Sequence, residues 1–137
     1  MTRLHPPARN PCGSCPYRRD VPSGVWNADE YRKLPGFDGE TFEQSPTVFA
    51  CHQQDGRLCA GWVAVNDMTR SLGLRMAVLN GMIHEEDVDT IVDYATDVPL
   101  FASGAEACEH GLRGIEQPDR AARRTIDKLV RKGVANA

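Results

Sequence analysis

The stretch Asn10-Pro-Cys-Gly-Ser-Cys-Pro-Tyr17 carries one close pair of thiols, Cys12 and Cys15. The stretch Phe49-Ala-Cys-His-Gln-Gln-Asp-Gly-Arg-Leu-Cys-Ala-Gly-Trp62 carries a wider one, Cys51 and Cys59. We read the four as ligands of one metal centre. A C-x-x-C turn aims both sulfurs at one ion and turns backbone N–H groups toward them, which offsets their negative charge. Two thiolates alone bind weakly, so a second pair from a distant turn is needed. Gly13 is expected to permit the tight knuckle, and Pro16 to end it. Asp55-Gly56 is a turn signal that folds the second segment back on itself. Ala60-Gly61 then lets the chain leave without a bulky side chain near the sulfurs.

Composition bounds the rest. The chain has 137 residues, 41% hydrophobic and 26% charged, with a net charge of -3. That suits one domain with a modest core and gives no global nucleic-acid signature. No run of about eighteen apolar residues is present, so no transmembrane helix is expected. Residues 1–10 hold no apolar segment of the secretory kind, and a cytoplasmic location is the expectation. Clustered thiols in a reducing compartment favour metal or redox chemistry over disulfides. The fifth cysteine, Cys108, makes the count odd, and Cys108 is read as a half-buried thiol.

Outward from the cysteines, residues 1–11 read as a flexible N-terminal tail and 12–137 as a single domain. Within it, 12–62 would be metal-binding loops and 63–137 the helical part. The fold class expected is mostly α, with four to five short helices on a loop-rich, metal-stapled N-terminal half, small α+β being the variant. Asn27 to Glu30 looks like a capping box opening a helix over Ala28 to Leu34, with Trp26 stapled onto Tyr31. Thr47 to Ala50 reads as a short strand delivering Cys51. Val63 to Leu79 places Met68, Leu72, Met76 and Leu79 on one helical face. His84 to Ala95 and a segment from Ser103 to about His110-Gly111 read as further helices, the latter with a capping box at Ser103 and Glu106. The last helix is expected over Asp119 to Lys132, with Pro118 in its first turn and Gly133 at its end.

Each remaining motif has a bland and a sharp reading. His52, beside Cys51, is a supporting residue of the centre or a substitute ligand. Arg18 and Arg19 are a solvated pair or a contact for a partner's phosphate or carboxylate. Trp26 and Trp62 shield the sulfurs, or Trp26 anchors a partner. The last helix carries Arg120, Arg123, Arg124, Lys128, Arg131 and Lys132 largely off its apolar stripe. These are a solvated face, or they meet nucleic acid or an acidic protein. No P-loop, nucleophile elbow or H-E-x-x-H occurs, and four cysteine ligands close a metal to substrate, so an enzyme is disfavoured.

The string from Pro11 to Trp26, with Tyr31, Leu34, Cys51-His-Gln and Cys59-Ala-Gly-Trp62, resembles a small, functionally uncharacterised family of actinobacterial and actinophage proteins. The resemblance rests on a CxxCP(Y/F)R…CHxxxxxxCxGW pattern. It implies a natural cytoplasmic or phage-encoded protein and supplies no activity.

The expectation that results is a non-enzymatic accessory or regulatory module, possessing a structural zinc on Cys12, Cys15, Cys51 and Cys59 and binding a macromolecular partner. Two alternatives stand beside it. One is an iron–sulfur protein, with a 4Fe–4S cluster on the same ligands, acting as redox sensor or electron carrier. The other is a thiol oxidoreductase working through Cys12 and Cys15.

Overall fold

In the computed structural model the described residues are 3–54 and 56–134. Six α-helices carry the fold: α1 Ala28–Arg32, α2 Ala60–Val65, α3 Leu72–Leu79, α4 Val88–Val92, α5 Gly104–Leu112 and α6 Arg120–Arg131. Four 3-10 turns join them, and β structure among the described residues is limited to isolated bridges. The mostly α expectation is met.

Capping residues open most of these helices. The Asn27 side chain accepts from Asp29 N at 3.1 Å and starts α1. Glu30 does not complete a capping box; its carboxylate turns to His52 and Lys33. Tyr31 is buried, and its hydroxyl accepts the Val25 and Trp26 N–H groups, each at 3.1 Å. That bond, rather than a staple alone, fixes the chain's entry to α1.

Helix α5 is held at its start from two sides. Ser103 Oγ accepts from Glu106 N at 3.1 Å. Asp38, far away in sequence, accepts from Gly104 N and Ala105 N, both at 2.8 Å. A carboxylate there satisfies orphan N–H groups and complements the helix dipole. The helix runs past the expected stop because Gly111 is a packing contact: a Cβ on it would lie 2.1 Å from the Tyr31 ring. Helix α6 is capped by Asp119, which accepts from Ala122 N at 2.8 Å, and Pro118 precedes the cap. Gly133, at φ +79, ends it with paired bonds, Gly133 N to Val130 O and Val134 N to Leu129 O, both 3.0 Å. This double closure is the Schellman arrangement.

Three expectations are corrected. The single helix over Val63 to Leu79 is broken into α2, a 3-10 turn and α3, because Asp67 and Ser71 both act as caps. Met76 and Leu79 consequently face outward, Leu79 being 80% exposed. The helix over His84 to Ala95 is a 3-10 turn at Glu85–Asp87 followed by the short α4. Thr47 to Ala50 forms no strand; only the Ala50–Leu58 bridge remains. Asp55 of the Asp55-Gly56 turn lies outside the described residues, and Gly56 sits at φ +79.

The core is shared between the two halves. One buried cluster includes Tyr17, Trp26, Tyr31, Leu34 and Phe49 together with Trp62, Ile91, Ala107 and Leu129. The cysteine loops therefore have apolar packing of their own. Residues ahead of the knuckle run extended and bonded: Leu4 N donates to Met82 O at 2.8 Å and His5 N to Gly56 O at 2.7 Å. No helix among the described residues is long and apolar enough to cross a membrane.

Candidate metal centre

The sequence delivers the two cysteine pairs by different local devices. In the knuckle, Cys15 N donates to Cys12 O at 3.0 Å, which closes the turn. In the second loop, Cys51 N donates to Arg57 O and Cys59 N to Phe49 O, both at 2.9 Å. With the Ala50–Leu58 bridge between them, these bonds set Cys51 and Cys59 on facing arms. Helix α2 begins directly after Cys59, which is its N-cap.

The thiols then pair across the loops, not within them. Cys15 Sγ lies 3.7 Å from Cys59 Sγ. Cys12 and Cys51 are the other neighbours, the nearness of Cys51 raising the Cys12 thiol and that of Cys12 lowering Cys51. All four line one cavity of about 10 Å³, with Ala8, Asn10, Gln54, Arg57, Leu58 and Ala60. That is room for about one water-sized sphere. Cys15 and Cys59 are buried, whereas Cys12 and Cys51 are half-buried. Among the described residues no group of three or more His, Cys, Asp or Glu side chains is drawn together tightly enough to form a ready donor set.

The backbone presents N–H groups to every sulfur. Ser14 N–H serves Cys12; those of Tyr17 and Gly61 serve Cys15. Gln53 and Gln54 serve Cys51, Gln54 N at 3.3 Å, and Trp62 serves Cys59. Donors aimed at sulfur favour thiolate, the form that binds metal. The hydrogen bond from Cys12 is the largest effect on Cys51 and, with the N–H groups of Gln53 and Gln54 offsetting burial, its thiol is lowered to about 6. The bond from Cys59 likewise lowers Cys15. Cys12 and Cys59 carry the shared protons, so both are raised, with burial adding to the effect.

The surroundings hold this arrangement. A Cβ on Gly61 would fall 2.6 Å from Cys15 Sγ and 2.7 Å from Tyr17 Cβ, so only glycine admits the sulfur there. The role expected of Gly13 is corrected: its φ is not positive, and a Cβ would meet nothing within 4 Å. Trp26 Nε1 donates to Ser14 O at 2.6 Å and clamps the knuckle from behind. Gln53 Nε2 donates to Ser14 Oγ, joining the two loops.

His52 does not face the centre as a ligand. Its Nε2 is bonded to Glu30 Oε1 at 2.8 Å, and its ring packs on Trp26 and Phe49. It fastens the second loop to α1, which is the supporting role. Trp26 is 2% exposed, so its indole is not on a partner-binding surface. Arg18 is bonded to both Asp20 carboxylate oxygens and to Pro11 O. Arg19 lies over the Phe101 ring, 3.8 Å from Glu106. Both arginines are therefore engaged within the chain. Sequence reasoning missed Arg57, which lines the same cavity, its backbone carbonyl accepting from Cys51 N and its guanidinium donating to Pro6 O. The signal was its place two residues before Cys59 in a segment that doubles back.

On α6, Arg120, Arg123, Arg124, Lys128, Arg131 and Lys132 are all exposed, and among the described residues none is paired with a carboxylate. Lys128 and Lys132 share a cleft of about 300 Å³ with Gly13, Ser14 and Gln53, so the basic helix borders the cysteine loops.

A model of a family of unknown function, DUF6283, matches residues 7–129. No curated protein and no solved structure matches the chain.

Proposed function

We propose a structural metal centre for this chain, which belongs to the family of unknown function DUF6283: Cys12, Cys15, Cys51 and Cys59 hold one zinc ion. The ion staples the knuckle to the loop ahead of α2, and the protein serves as a non-enzymatic binding module. One observation carries the reading. Four thiols from two remote turns line a single ion-sized cavity, with backbone N–H groups directed at their sulfurs.

The donor set fits zinc. Zinc–sulfur bonds of about 2.3 Å in a tetrahedron put neighbouring sulfurs about 3.8 Å apart. The Cys15–Cys59 separation of 3.7 Å is that edge. A 4Fe–4S cluster places each thiolate on a different iron and so holds its thiolates farther apart than the 3.7 Å between Cys15 and Cys59. That separation favours a single ion over the cluster. An oxidoreductase needs an accessible, acidified nucleophile next to its resolving thiol. Cys12 is raised, Cys15 is buried, and each has its hydrogen-bonding partner in the other loop.

The basic face of α6, bordering the loops, would be the surface for an anionic macromolecule, and nucleic acid is the partner that its unpaired cations favour. The actinobacterial or actinophage setting implied by the cysteine pattern belongs to the same proposal. Elemental analysis of protein from cells grown without added metal tests the centre. One zinc per chain supports it; iron with acid-labile sulfide supports the cluster instead.

A further inference from the structure

We propose that the four thiols form an oxidation-sensitive switch, in which a peroxide links Cys51 to Cys12, then Cys15 to Cys59, and opens the centre. Release of zinc in this scheme rests on the metal reading above. The choice of partners rests only on how the thiols face one another.

Three observations carry it. First, the knuckle thiols meet those of the other loop, Cys15 with Cys59 at 3.7 Å and Cys12 with Cys51 as linings of one small cavity. A disulfide needs its sulfurs at about 2.0 Å, so the 3.7 Å pair closes by a small side-chain movement. Second, the pairs differ in access. Cys15 and Cys59 are 1% and 3% exposed, while Cys12 and Cys51 are half-buried. A dissolved oxidant meets the Cys12–Cys51 pair first. Third, Gln54 N–H holds the Cys51 sulfur at 3.3 Å, which fixes it at the accessible side of the cavity.

The chemistry balances. The Cys51 thiolate attacks hydrogen peroxide; an S–O bond forms, the O–O bond breaks, and the departing hydroxide takes a proton to become water. The Cys12 sulfur then attacks the sulfur of the Cys51 sulfenic acid. The S–S bond forms, the S–O bond breaks, and the oxygen leaves as a second water. Its proton comes from the Cys12 thiol, or from solvent where Cys12 is a metal ligand. Peroxide gains two electrons and each sulfur loses one. A centre reduced to two thiolates binds zinc weakly, so the ion departs. A second peroxide then joins Cys15 to Cys59 in the same way.

The test uses the full chain loaded with zinc and treated with hydrogen peroxide. Released zinc is followed with a chromogenic chelator, and cysteine linkages are mapped by mass spectrometry without reduction. The expected result is one zinc released per chain, in step with the Cys12–Cys51 linkage, with Cys15–Cys59 following. A dithiol and added zinc should restore the starting state. Linkage of Cys12 to Cys15, sulfinic or sulfonic acid without linkage, or linkage with zinc retained would overturn the switch. The same mapping on chelator-treated protein isolates the pairing. A chain that takes up no zinc yet forms both cross-loop linkages supports the pairing and sinks the metal reading.

Discussion

Cys15 Sγ and Cys59 Sγ lie 3.7 Å apart although 44 positions separate them in the chain. That contact requires a residue without a side chain at the point where α2 passes the knuckle, and Gly61 is that residue. Substitution Gly61→Ala would drive a methyl group into Cys15 and Tyr17. We expect it to destabilise the fold by about 1–3 kcal/mol, as for overpacked cores, and to weaken zinc retention against a chelator. Gly13→Ala is the control. It points into open space and should stay within about 0.5 kcal/mol of the parent. Chemical denaturation of both variants decides the point; equal stabilities would contradict it.

Zinc uptake should release fewer than four protons near neutral pH. Cys12 and Cys59 are raised above the ordinary thiol value and keep their protons, while Cys51, lowered to about 6, has given its proton up. Metal binds the deprotonated form, so every bound proton must leave. As pH falls through about 6, Cys51 takes up its proton, the release rises and affinity drops. Calorimetry in buffers of different ionisation enthalpy counts the protons. A release near four at neutral pH would mean that the thiols do not share protons in pairs.

The start of α5 offers a stability test away from the metal. Asp38 accepts two backbone N–H groups that no other described residue satisfies from outside the helix. Asp38→Ala should cost about 1–2 kcal/mol, the range for a lost N-cap. Zinc content should not change. A variant that loses zinc in proportion to stability would show that α5 and the centre unfold together.

Much of this was legible in the sequence, and the reasons are local. Asn27, Ser103, Asp119 and Gly133 announce helix ends because a side-chain oxygen or a left-handed glycine acts within a turn or two. The C-x-x-C spacing announces the knuckle for the same reason. The break between α2 and α3 was missed because Met68, Leu72, Met76 and Leu79 keep helical spacing right across it. Asp67 and Ser71, whose caps interrupt the helix, stand off that apolar spacing and leave it unbroken. The cross-pairing of Cys12 with Cys51 and the tie from His52 to Glu30 depend on tertiary placement, which no local pattern encodes.

The basic face of α6 should be dispensable for folding and needed for binding. Arg120→Glu, Arg124→Glu and Lys128→Glu alter exposed residues, and each should shift stability by no more than about 0.5 kcal/mol. Together they should abolish binding to a mixed-sequence DNA duplex used as probe. In the parent, affinity should fall as salt rises, because released counterions drive such binding. Binding that ignores salt, or that survives the triple change, would place any nucleic-acid contact elsewhere.

The central claim is that one ion joins the two cysteine loops. Its most direct measurement is metal content together with thermal unfolding, on protein purified without added metal, before and after a strong chelator. The account predicts one zinc per chain and a lower unfolding temperature once it is removed, restored on adding zinc back. Protein that carries no zinc, or that unfolds at the same temperature with and without it, would contradict the account.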